Sequence, residues 1–172
     1  MHNLIFTPAY QLAHAIRCRQ VSAMETLDAF LQQIDVHNPK VNAIVTLDIE
    51  RAYYLARLAD EAIARGDWWG PLHGVPITVK DFFETAGLRT TCSDRRLTDY
   101  IPSRDATAVA RLRQAGAIIL GKTNLPFLAQ DFQTDSPLLG RTNNPWNLAR
   151  TPGGSTVGYC GSSFSWHSPS LP

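Results

Sequence analysis

The chain has 172 residues, 44% of them hydrophobic and 18% charged, with a formal net charge of +1. That length suits one domain with a sizeable core. A charge so near zero argues against a nucleic-acid partner held by bulk electrostatics, and the longest apolar run, Ala117 to Leu120, is far too short to span a bilayer. Cys18, Cys92 and Cys160 are odd in number, far apart and in no CxxC pair, so free thiols in a reducing compartment are expected. The first residues, MHNLIFTPAYQLAHAIRCR, lack a basic segment followed by a long apolar run. The expectation is therefore no signal peptide and a cytoplasmic location.

In chain order, Thr7-Pro8 reads as the cap and first position of a helix with Leu12, Ala15 and Ile16 on one face. Ser22-Ala-Met-Glu25 is a capping box, opening a second helix with Met24, Leu27, Phe30, Leu31 and Ile34 at helical spacing. His37-Asn38-Pro39 is expected to end it. VNAIVTL, residues 41–47, is a short strand. A third helix follows from about Asp48 to Arg65, burying Ala52, Leu55, Ala56, Ala59, Ala62 and Ile63, with Gly66 after its end. VPITV, residues 75–79, is an apolar strand running into Lys80-Asp81, and a polar loop covers 84–104. Asp105 is expected to cap a fourth helix with Ala108, Val109, Leu112 and Ala115 inward, closed by Gly116. AIILG, residues 117–121, is then a buried strand. Helices alternating with apolar strands make the fold class α/β, a mixed β-sheet flanked by helices.

Gly116 to Thr123 satisfies GxxxxGK[ST], the phosphate-loop pattern. The physics argues against a nucleotide site. The four intervening residues, Ala-Ile-Ile-Leu, are a strand rather than an exposed anion nest, and Pro126 interrupts any long helix begun at Lys122.

Two stretches carry candidate chemistry. Lys80 ends an apolar strand, where loss of solvent pushes a lysine pKa down, and a neutral lysine is a competent general base. The alternatives are that it pairs with adjacent Asp81 or ends the strand at the surface. In TPGGST, residues 151–156, Pro152 and two glycines hold Ser155 on a tight turn, and the alternative is an ordinary surface turn. No metal-ligand spacing or cofactor motif survives inspection, so no cofactor and no metal are expected.

GPLHGVPITVKD (70–81), RDATAVARLRQAGAIILGKTN (104–124) and NNPWNLARTPGGST (143–156), in that order and spacing, resemble the amidase signature family. The resemblance reaches to Thr156 and includes NPKVNAIV. It implies the N-terminal part of that fold over 1–156 and a Ser–cis-Ser–Lys mechanism for hydrolysing the C–N bond of a small amide. Lys80 matches the family's lysine base and Ser155 its bridging serine, entered through a cis peptide. The resemblance also covers the amidase component of a tRNA-dependent amidotransferase. His73, Trp68, Trp69 and Trp146 are expected to pack rather than touch substrate.

Residues 157–172, beginning Val157-Gly158-Tyr159 and containing Cys160, Trp166 and His167, depart from the family pattern. None of their serines stands in the Gly-Gly-Ser turn the family uses for its nucleophile. The expectation is an aberrant, disordered tail and a chain inactive alone. Shifting the reading frame by one base turns Cys160 into Ala or Val and makes Trp166-His167 yield Gly. Out-of-frame translation is the reading. An early stop in the shifted genomic frame, or the lack of a Gly-Gly-Ser segment there, would overturn it. A non-catalytic fragment with an uncovered sheet edge is the competing expectation.

Overall fold

Three helices share one core over the first third of the sequence. In the computed structural model, which describes residues 4–155, α1 spans Ala9–Arg17, α2 spans Ala23–Val41 and α3 spans Ile49–Ala64. The helix start expected at Thr7 moves by one residue: Pro8 is the N-cap of α1, while the Thr7 N–H closes a short 3-10 turn onto Leu4 O. Leu12, Ala13 and Ile16 point inward. The Ser22 capping box is present in both directions. Ser22 Oγ accepts from Glu25 N at 2.9 Å, and Glu25 Oε2 accepts from Ser22 N at 2.8 Å.

The expected stop at Pro39 is wrong, because α2 carries the proline inside its last turn and continues to Val41. A proline so near the end removes only one helical donor. Asn42, at φ 53°, ends the helix and donates its N–H to Asn38 O at 2.7 Å. The Asn38 side chain then steers the chain into the sheet. Its Oδ1 accepts from Ala43 N and Ile44 N, and its Nδ2 donates to Ile44 O.

The sheet has β1 (Ile44–Leu47), β2 (Pro76–Lys80) and β3 (Ile118–Thr123) in the order β1-β3-β2. β1 runs antiparallel to β3 and β2 parallel to it, so the sheet is mixed, with Lys80 opposite Thr123 and Val79 opposite Lys122. The β2-to-β3 crossover carries α4 (Thr107–Gln114), as a parallel connection requires. Asp105 does not cap α4. Ala106 holds the cap position, while Asp105 accepts from Ala86 N at 2.7 Å and pairs with Arg113 at 3.0 Å. Of the four residues expected inward on α4, Val109 is buried and Ala108 is exposed, because this helix covers a narrow strip of sheet.

Apolar residues fill both faces of the sheet. Leu12, Ile16, Leu27, Ala52, Ala56, Ala59, Val75, Ile118 and Leu120 form the larger cluster with α1, α2 and α3. Val79, Leu88, Val109 and Ile119 form the smaller one under α4. Every residue of β3 is buried, Lys122 included, which leaves no exposed nest for a phosphate. Beyond it, β4 (Asp135–Ser136) and β5 (Gly140–Arg141) make a small hairpin. Thr142 Oγ1 ties that hairpin to Asn42 O, and Asn143 Nδ2 ties it to Lys40 O, each at 2.7 Å. None of the described helices is long and apolar enough to cross a membrane. The tail assigned to 157–172, with its out-of-frame reading, lies outside the described residues.

Candidate active site

Lys80 is the last residue of β2 and is half-buried. The chain turns at once, with Phe83 N donating to Lys80 O at 3.0 Å. Ser155, 75 positions along the chain, reaches the same spot from a separate turn. Lys80 Nζ and Ser155 Oγ are 3.0 Å apart, within proton-sharing reach.

The turn that delivers Ser155 is fastened on several sides. Gly153 has φ +98° and accepts at its carbonyl from Thr134 Oγ1 at 2.7 Å. Thr151 Oγ1 bonds Gln133 Oε1. Gly154 lies flat on the 131–132 backbone, where an added Cβ would stand 2.9 Å from Asp131 O and 3.0 Å from Phe132 C. The Gly154–Ser155 peptide is cis. Glycine at 154 is thus a steric requirement of the approach.

Burial lowers the Lys80 pKa from its ordinary value, and the nearby Cys92 side chain acts the other way. Cys92 stands on a left-handed residue, φ 51°, with its N–H on Asp81 O at 3.0 Å. Burial raises the Cys92 pKa from its ordinary value.

Asp81 is fully buried and accepts from Thr91 N at 3.1 Å and Thr91 Oγ1 at 2.5 Å. Its other oxygen, Oδ1, lies 3.9 Å from Lys122 Nζ and makes no hydrogen bond among the described residues. Burial raises the Asp81 pKa, while Thr91 and Lys122 pull it down. The carboxylate that sequence proximity offered to Lys80 is therefore engaged with Thr91 and Lys122.

That network was missed by sequence reasoning, which saw Lys122 only as part of a strand and turn. Lys122 has no solvent exposure, and it donates to Phe83 O at 2.5 Å, Thr85 Oγ1 at 3.0 Å and Thr90 Oγ1 at 2.9 Å. Burial pushes its pKa down to about 8, with Asp81 opposing. The only available signal was the run of threonines in the 84–104 loop, which has no period to read.

Phe82 and Phe83 also flank the site, edge to face at 5.9 Å, with Lys80 Nζ 6.0 Å from the Phe82 ring. His73 does pack: it is fully buried, accepts at Nδ1 from Trp69 N and hydrogen-bonds Ala59 O through Nε2. Trp146 and Trp68 do not enter the core. Trp146 is 66% exposed, and Trp68 lies under the Arg17 guanidinium. Among the described residues, no group of three or more His, Cys, Asp or Glu is placed to hold a metal ion.

The family model described as Amidase matches residues 25–161. A glutamyl-tRNA(Gln) amidotransferase subunit from Carboxydothermus hydrogenoformans is 44% identical over 156 residues, covering 91% of this chain and 32% of that protein. Among solved structures, 6-aminohexanoate cyclic dimer hydrolase superposes with a TM-score of 0.80 at 33% identity, over 90% of this chain and 31% of its own. Fatty acid amide hydrolase superposes with a TM-score of 0.86 at 26% identity, over 93% and 29%. The chain thus spans about a third of the length of the curated relatives it matches.

Proposed function

Because this chain belongs to the Amidase family, we propose that Lys80 and Ser155 are the base and the proton relay of a site that hydrolyses the C–N bond of amides. The observation that carries the reading is the 3.0 Å contact between Lys80 Nζ and Ser155 Oγ on two independently braced segments. Desolvation favours the neutral amine at Lys80, which then accepts the Ser155 hydroxyl proton. Ser155 is left able to take a proton from an attacking hydroxyl, and the same route returns one to the leaving amine. We assign the attacking hydroxyl to no residue of this chain. The substrate in this reading is a small-molecule amide, and no step calls for a metal or cofactor.

A second reading has its own support. Identity to the amidotransferase protein, 44%, exceeds that to the cyclic dimer hydrolase, 33%. In that reading, the same pair works inside a larger assembly. Turnover of a simple amide by the purified chain favours the free hydrolase. Turnover only after the other amidotransferase components are added favours the assembly. No turnover and no serine labelling by a fluorophosphonate in either setting favours a non-catalytic fragment.

The site assignment is tested by lysine-selective 13Cε NMR, for which the sequence supplies just Lys40, Lys80 and Lys122. Lys80 is expected to titrate below the ordinary lysine value, with a midpoint that moves in Ser155→Ala. Lys80 titrating at the ordinary lysine value overturns the base assignment. Where turnover is measurable, Lys80→Met and Ser155→Ala should each lower it about 10²-fold or more.

A further inference from the structure

The feature left unused by this reading is the buried Lys122. Taking an ammonium out of water is costly, and a methionine or leucine would fill similar volume without that cost. What lysine adds is three directed donors. All three are spent on one segment: Phe83 O, Thr85 Oγ1 and Thr90 Oγ1. The same ammonium faces Asp81, the residue after Lys80.

These bonds converge on the peptide that follows Lys80. Phe83 donates its N–H to Lys80 O while its own carbonyl accepts from Lys122. Asp81 continues the grip by holding the Thr91 N–H and hydroxyl. The Asp81 carbonyl takes the Cys92 N–H, and the Cys92 carbonyl takes the Leu128 N–H at 2.9 Å. Leu128 leads along the chain into the 131–132 backbone that Gly154 lies against. One buried cation therefore sits at the root of a connected path from the exit of β2 to the turn that carries Ser155.

We infer that Lys122 is a positioning residue, whose three hydrogen bonds hold the 81–90 segment so that Lys80 is kept desolvated and aimed at Ser155. The inference rests on the proposed pairing of Lys80 with Ser155. It does not place Lys122 in contact with substrate. Among the described residues, Asp81, Cys92 and Asp105 bear on Lys122, and Cys92 is among the groups that bear on Lys80. If the grip is released, water reaches Lys80 and its ammonium form regains hydration, so its midpoint rises.

The test is the three-lysine 13Cε titration on the full chain. In Lys122→Met the Lys80 midpoint should rise toward the ordinary lysine value by about half a pH unit or more. Thr85→Val and Thr90→Val each remove one acceptor, keep the lysine, and should move Lys80 the same way by less. Leu27→Ala, in the opposite core cluster, loosens the fold elsewhere and should leave Lys80 where it is. If Lys122→Met does not fold, the two threonine variants decide. Lys80 unmoved in every folded variant, or moved equally by Leu27→Ala, overturns the positioning role while leaving the base assignment standing. A wild-type Lys80 that titrates at the ordinary lysine value removes both.

Discussion

Ser155 is placed by its neighbour as much as by itself. In Gly154→Ala the new methyl meets Asp131 O at 2.9 Å and Phe132 C at 3.0 Å, both backbone atoms that cannot swing aside. We expect a loss of about 1–3 kcal/mol in urea unfolding, the usual cost of overpacking, together with a displaced Ser155. Lys122 makes a different prediction, about pH. Its pKa falls from an ordinary 10.5 to about 8 on folding. Between those values the unfolded state binds more protons than the folded state, so stability rises as pH climbs from 8 toward 10.5 and is lost as pH falls back through 8. The slope is at most about 1.4 kcal/mol per pH unit. Urea midpoints at stepped pH should show this rise in the wild type, and Lys122→Met should show a smaller one, since buried Lys80 is shifted in the same direction.

At the scale of elements, the ends of α2 differ in how they are held. Its start is a capping box at a half-exposed position, so Ser22→Ala should cost about 1 kcal/mol. Its end depends on Asn38, whose side chain serves two N–H groups of the buried residues Ala43 and Ile44. Asn38→Ala strands both, and should cost more, about 2–4 kcal/mol, since each unsatisfied buried donor carries about 1–3 kcal/mol. Chemical denaturation of both variants in one buffer checks the order. The proline lies inside the helix because the terminating residue is Asn42, three positions beyond it, while Asn38, one residue before it, acts forward on the strand.

In the whole molecule, β3 is the shared wall of two cores. Ile118 and Leu120 face the three N-terminal helices, while Ile119 faces the α4 side. Leu120→Ala should cost about 2–5 kcal/mol. If both clusters unfold as one unit, hydrogen exchange at α4 amides should accelerate along with that at α2. The same wall organises the site. β2 and β3 run side by side, and their ends carry Lys80 and Lys122. One lysine turns to Ser155 and the other to the loop beneath.

Helix α3, the two long strands and the capping box were legible in the residues, because each is encoded by neighbours within a turn or by alternation along a few positions. The α/β class followed from the order of those elements. Lys80 and Ser155 stood out singly, one at the end of an apolar strand and one on a glycine turn, but only the resemblance carried by three long motifs joined them, since nothing local says that residues 75 positions apart will meet at 3.0 Å. Tertiary structure alone decided that Asp81 serves Thr91 and Lys122, that Asp105 braces the loop at Ala86 and Arg113, and that Asn38 reaches over the end of its own helix. The physical reason is that an apolar face is specified by spacing, whereas a buried polar group is specified by its partner, and the partner is chosen only when the chain has closed around it.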